Sequence, residues 1–190
     1  MAGLVSAPTA ATTLAPPSHG AEVAALVEAL AQRLPASGWM LATAESCTGG
    51  LIAAACTELA GSSHWFERGF VSYSNAAKTQ MLGVDAALIA QHGAVSEPVA
   101  RAMAQGAVQQ AKAHVSLAVT GVAGPGGGSA DKPVGTVWFA WAVPGALHSE
   151  VQHFVGDRAA VRQATVCHSF RRLLALMPPL PSLLPGATAR

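Results

Sequence analysis

The apolar residues change period repeatedly between residues 22 and 155, and this alternation is what most restricts the fold. Val23, Leu26, Val27, Leu30 and Leu34 recur at helical spacing and mark an amphipathic helix ending near Pro35. Trp39 to Ala44 is a short apolar run that reads as a buried strand, and Leu51 to Leu59 continues as an Ala-rich helix with Gly61 as its C-cap. Phe70, Val71 and Tyr73 suggest a second strand, followed by a helical piece through Met81 and a shorter one at Asp85–Gln91. Ser96 reads as the N-cap of a long helix reaching about His114. Val115 to Thr120 is a third strand. Val134 to Val143 and His148 to Val155 form a hairpin through Pro144-Gly145. Asp157 caps a last helix with Val166, Phe170, Leu173, Leu174 and Met177 on one face.

The resulting order, α-β-α-β-α-α-α-β-β-β-α, predicts an α/β protein: a three-layer α/β/α sandwich with a mostly parallel mixed sheet of about five strands. The length of 190 residues suits one domain. Residues 1–20 read as a flexible leader, 21–177 as the domain, and 178–190 as a Pro-rich tail.

Charged residues make up only 11% of the chain, and the net charge is +1 without any basic run. A nucleic-acid binder carries a basic stripe, so no nucleic-acid partner is expected. So few charges leave apolar surface for a partner subunit to cover. Cys47, Cys56 and Cys167 form no C-x-x-C pair, which argues against a zinc site or a disulfide framework. The N-terminal stretch lacks both the positive region and the apolar core of a secretory signal, and no run approaches membrane-spanning length. A cytoplasmic protein with no membrane association and no metal is expected.

Three segments carry candidate chemistry. In Thr43-Ala44-Glu45-Ser46-Cys47-Thr48-Gly49-Gly50 a strand gives way to a helix. Unpaired N–H groups at a helix start stabilise developing negative charge, so a hydroxyl there is placed for acyl transfer. Gly49 and Gly50 give a substrate room to approach the backbone. Ser46 and Thr48 read equally well as plain N-caps, and spacing does not separate the two readings. Cys47 is a rival nucleophile at the same turn. The second segment holds Tyr73, Asn75 and Lys78. A lysine near a serine can act as general base once burial lowers its pKa, or can bind phosphate as a point charge. As residue types alone, they also suit a solvated lysine and a half-buried tyrosine. The third segment, Thr120-Gly121-Val122-Ala123-Gly124-Pro125-Gly126-Gly127-Gly128-Ser129, follows a strand and matches neither the Walker nor the Rossmann spacing. Its backbone suits an anion nest, and Lys132 adds a cation nearby. Asp157, Arg158 and Arg162 read most simply as a helix cap and an i, i+4 pair, with an anion or subunit contact as the alternative.

Taken in order, Ala44-Glu45-Ser46-Cys47-Thr48-Gly49-Gly50, Val71-Ser72-Tyr73-Ser74-Asn75 with Lys78, Met81-Leu82-Gly83-Val84, Gly93-Ala94-Val95-Ser96, Thr120-Gly121-Val122-Ala123-Gly124-Pro125, Lys132-Pro133-Val134-Gly135-Thr136 and Gly156-Asp157-Arg158 resemble the C-terminal domain of the CinA family over residues 22 to 176. The resemblance implies hydrolysis of the carboxamide of nicotinamide mononucleotide to nicotinic acid mononucleotide and ammonia, in pyridine-nucleotide recycling and with no cofactor. It implies Ser46 as nucleophile assisted by Tyr73 and Lys78. Substrate contacts are expected from Glu45, Thr48, Gly49, Gly50, Asn75, Thr120, Gly121, Gly124, Gly126 and Lys132. Longer family members carry an additional N-terminal domain, whose activity is not expected here. A non-catalytic nucleotide-binding module of competence- or damage-inducible type is the alternative, and a Ser-Lys peptidase or other amidase a further one.

Overall fold

A computed structural model describes residues 19–179; the remainder, with most of the expected leader and tail, lies outside the described residues. The elements follow the predicted order: α1 (His19–Ala36), β1 (Leu41–Glu45), α2 (Leu51–Glu58), β2 (Phe66–Val71), α3 (Asn75–Leu82), α4 (Ala86–His92), α5 (Glu97–Ala111), β3 (Val115–Gly121), β4 (Thr136–Val143), β5 (Ala146–His153) and α6 (Arg158–Leu176), with a 3-10 turn at Ser62–His64. The first helix begins at His19, so the last two residues assigned to the leader are helical. The sheet order is β2-β1-β3-β4-β5. Strands β1, β2 and β3 run parallel, β4 opposes β3, and β5 opposes β4, so β4 alone runs against the rest. That is the three-layer mixed sheet read from the sequence.

The two faces of the sheet differ in what they bury. Leu41, Val115, Leu117, Val119, Val137, Phe139 and Trp141 point toward α1, α2 and α6 and join Leu30, Ile52, Phe170 and Leu173 in one cluster. Each such large side chain contributes roughly 1.5–3 kcal/mol when fully buried. The opposite face is paved with Ala42, Ala44, Ala118 and Ala140 against Ala100, Met103, Ala104 and Ala107 of α5. Small residues on both sides let α5 lie close to the strands. α5 in turn lies close to α3: a Cβ on Gly106 would fall 2.0 Å from the Leu82 carbonyl oxygen. This close approach fixes α3, and with it Lys78, over the end of β1.

Helix ends are satisfied locally. Arg33 of α1 donates to the carbonyls of Leu174, Met177 and Pro178 at the end of α6 (2.8, 2.9 and 2.7 Å), tying the first helix to the last. Asp157 caps α6 as expected, its carboxylate accepting from the Ala160 N–H at 2.8 Å. Ser96 stands at the start of α5 as expected, without bonding as a cap. It occupies the N-cap position of α5, but its hydroxyl makes no cap bond and donates backward to the Gly93 carbonyl at 2.8 Å. Among the described residues no helix is long and apolar enough to cross a membrane.

Candidate active site

The carboxyl ends of β1, β2 and β3 meet at one edge of the sheet, where open α/β proteins place their ligands. Ser46 follows directly on β1. Its N–H donates to the Val119 carbonyl at 3.0 Å, and the Ser72 N–H donates to the Glu45 carbonyl at 2.9 Å, which holds the ends of the three strands in register.

Strand alternation sends Glu45 and Ser46 to opposite layers. Glu45 turns toward α2 and is fully buried. One carboxylate oxygen accepts from the Thr48 hydroxyl (2.7 Å) and the N–H groups of Gly50 and Ile52 (both 3.0 Å); the other accepts from the Ala53 N–H (2.8 Å). A carboxylate on otherwise unpaired N–H groups is the favourable match to the positive end of a helix. Glu45 and Thr48, expected as substrate contacts, therefore build the turn. Replacing Glu45 with alanine strands these donors in the interior and should lower unfolding stability by about 3 kcal/mol or more, read by denaturant titration.

Ser46 turns toward α3. The Lys78 side chain is 1% exposed, and its Nζ lies 3.0 Å from Ser46 Oγ, 3.0 Å from the Ser72 carbonyl oxygen and 3.2 Å from the Tyr73 carbonyl oxygen. As an ammonium, Lys78 donates to all three oxygens. As a neutral amine it donates to the two carbonyls and keeps its lone pair for the Ser46 hydroxyl. Burial favours the neutral form and pushes the Lys78 pKa below that of an ordinary lysine, because the charged form loses its hydration. Among the described residues no carboxylate contacts the amine to offset this.

The rival nucleophile fares differently. Cys47 packs into the core on the α2 side, and burial pushes its thiol up to about 12. A thiol at that value carries almost no thiolate near neutrality, which disarms it as a nucleophile.

Backbone donors at the turn are largely committed. The Gly49 N–H donates to the Ser46 carbonyl (3.1 Å), and that of Gly50 is held by Glu45. Of the three N–H groups of Thr48–Gly50, only that of Thr48 meets no oxygen acceptor among the described residues. The N–H groups of Thr48 and of Cys47 remain, and among the described residues they interact only with the Cys47 sulfur.

Tyr73 supplies its carbonyl to Lys78, while its side chain is 59% exposed and its hydroxyl lies 3.5 Å from Arg158 Nη2. Asn75 opens α3 and is exposed. The Thr120 hydroxyl donates to the Ala94 carbonyl at 2.8 Å. Gly121 lies against Thr136, where a Cβ would fall 2.7 Å from the carbonyl oxygen, so its smallness serves the β3–β4 contact. Gly124 has φ of 82° and its carbonyl accepts from Arg158 Nη1 at 2.9 Å. Gly126 is exposed, with open space where a Cβ would stand. The Lys132 Nζ donates to the His92 carbonyl at the end of α4 (3.1 Å).

Two residues outside the expected catalytic and substrate-contact set also belong here. Arg158 and Arg162, which read from the sequence as a structural pair or as an anion or subunit contact, reach from α6 into the site: Arg162 Nη2 donates to the Thr48 carbonyl at 2.7 Å, and Arg158 touches both Gly124 and Tyr73. A cleft of about 660 Å³ opens between them and the glycine-rich loop. The Gly156-Asp157-Arg158 motif was the available signal.

A three-layer α/β sandwich carrying a buried serine–lysine pair at a strand-to-helix turn defines the class of protein. Residues 23–177 match the CinA C-terminal domain, and the chain belongs to that family. It is 52% identical over 153 residues to the nicotinamide-nucleotide amidohydrolase PncC of Escherichia coli K12, covering 80% of this chain and 93% of that protein. Against the protein of the same name from Pseudomonas putida the identity is 50% over 154 residues, covering 81% and 96%. A crystal structure of a competence-damaged protein (CinA) superfamily member from Escherichia coli superposes with a TM-score of 0.79 at 42% identity, covering 82% of this chain and 90% of that one.

Proposed function

We propose that the protein is an amidohydrolase that converts nicotinamide mononucleotide and water to nicotinic acid mononucleotide and ammonia through a serine acyl-enzyme. The observation that carries this reading is the 3.0 Å approach of Lys78 Nζ to Ser46 Oγ in a buried corner, in a chain half identical to proteins named for that activity. Neutral Lys78 takes the Ser46 proton as Oγ attacks the carboxamide carbon. The Cys47 and Thr48 N–H groups receive the oxyanion. Collapse of the tetrahedral adduct breaks the C–N bond, and Lys78 returns the proton to the leaving nitrogen, which departs as ammonia. Water, giving its proton to Lys78, then cleaves the acyl-enzyme, and the same proton restores the Ser46 hydroxyl. The Tyr73 phenol faces Arg158 and is assigned no step. The setting we propose is the cytoplasm, with the enzyme serving nucleotide recycling as a homodimer or higher oligomer; the three unpaired buried cysteines suit a reducing compartment.

The test is ammonia release by the purified protein, with nicotinamide mononucleotide, free nicotinamide and a carboxamide peptide compared side by side. Steady release from the mononucleotide, with the other two much slower, is the expected result. Tight binding of the mononucleotide without ammonia would leave a binding module in place of an enzyme. Preference for the peptide would make the protein a Ser-Lys peptidase.

A further inference from the structure

We infer that Arg162 tunes the oxyanion hole from outside it: its charge polarises the backbone N–H of Cys47 through a chain of hydrogen bonds in the nucleophile turn. The inference rests on the amidase reading above, which assigns that N–H to the oxyanion. Arg162 Nη2 donates to the Thr48 carbonyl at 2.7 Å. The nitrogen of the same peptide group, that of Gly49, donates to the Ser46 carbonyl at 3.1 Å. The nitrogen of the Ser46 peptide group is in turn the Cys47 N–H, which meets no oxygen acceptor among the described residues. Two peptide groups therefore stand in series between the guanidinium and the oxyanion position. Each accepts at its oxygen and donates at its nitrogen, so their dipoles point the same way.

A donor drawn to a carbonyl oxygen pulls electron density toward it and makes the N–H of that peptide a stronger donor. Hydrogen bonds in series strengthen one another by about 10–30% each in this way. The first link is charge-assisted, which makes it stronger than a neutral one. The Leu51 N–H also reaches the Thr48 carbonyl, but at 3.4 Å, so the guanidinium is the nearer partner. The charge is not spent elsewhere. Arg68, Arg101, Arg171 and Arg172 each meet a glutamate, whereas Arg162 meets no carboxylate among the described residues. Its Nε is closed off from solvent, which limits screening by water at this end of the chain. Glu45 already secures the turn through four hydrogen bonds, which makes a purely structural role for Arg162 redundant. Arg162 acts through Thr48 and Gly49, so it is a positioning residue. Because it also lines the cleft, direct contact with the substrate is the competing reading.

The experiment compares ammonia release from nicotinamide mononucleotide by the wild type, Arg162→Gln and Arg162→Lys with binding of the mononucleotide to the same variants in a Ser46→Ala background. Arg162 is only partly buried, so the variants should fold, with denaturant midpoints as the check. Loss of a whole oxyanion donor costs about 10²–10³-fold in kcat, and a weakened donor should cost less, about five- to thirtyfold. Arg162→Gln should show that loss in kcat with the Kd unchanged, and Arg162→Lys should recover part of it. A loss in kcat/KM fully matched by weaker binding would overturn the inference and make Arg162 a substrate contact only. A second arm does not depend on turnover: the amide proton and nitrogen resonances of Cys47 in the free protein. They should move upfield in Arg162→Gln and stay in place in Arg158→Gln, which removes a charge from the same cleft but not from the chain. That result supports the relay even if no ammonia is ever released. A Cys47 resonance that does not move, or that moves equally in both variants, refutes it even if the amidase reading stands.

Discussion

Ser46→Ala is expected to lower ammonia release from nicotinamide mononucleotide by about 10⁴-fold or more, the scale seen when a serine hydrolase loses its nucleophile. The fold should be untouched. Among the described residues the Ser46 hydroxyl hydrogen-bonds only with Lys78, alanine fits the same space, and the carboxylate that organises the turn belongs to Glu45. Matching denaturant curves beside the lost rate would separate chemistry from stability. Retention of the wild-type rate would remove Ser46 from the mechanism. Cys47 is a poor substitute, its thiol being pushed up to about 12, so a water-based attack would then be the reading to pursue.

Lys78→Met should cost about 10²–10⁴-fold in kcat, the usual contribution of a general base. The pH dependence is more telling than the loss. Only neutral Lys78 accepts the Ser46 proton, so the wild-type rate should climb as pH rises through the Lys78 pKa. Burial lowers that pKa, so the midpoint should fall below the 10.5 of a free lysine. Lys78→Arg, which stays protonated, should be inactive across the range. Stability follows the same proton. Between the lowered folded value and the ordinary one, the unfolded chain holds a proton that the folded chain does not. Wild-type stability should therefore rise with pH across that window and lose the benefit as pH falls below it. Lys78→Met should flatten the rise. A pH–rate profile with no ascending limb would take the base role away from Lys78.

The order of elements was legible because core burial imposes its period on the sequence: Leu30 and Leu34 on one helix face, Leu117 and Val119 on one strand face. The start of β2 was not. Glu67, Arg68 and Gly69 lie on an edge strand where solvent tolerates charge, and nothing in those residues looks like a strand. The same limit applies to the site. Ser46 and Lys78 are 32 residues apart, and their contact depends on how α5 seats α3, which the local sequence does not encode. Thr48 and Arg162 are 114 apart, so the arginine had only its own helix to be judged by. Tyr73 shows another limit. Residue type draws attention to a phenol, while the fold uses the carbonyl, which any residue has.

The opposite facings of Glu45 and Ser46 have a consequence for how the gene can vary. Side chains in a strand alternate, so a shift of β1 by one position against β3 exchanges the two roles. A carboxylate would then face the Lys78 amine and form an ion pair where a nucleophile is needed, while a hydroxyl would be left to cap α2 alone. Single-codon deletions between Leu41 and Glu45 thus strike structure and chemistry at one stroke. The same deletion at the exposed Gly126–Gly128 stretch of the loop removes neither. Indel tolerance along this chain should be set by strand parity near the nucleophile far more than by distance from it.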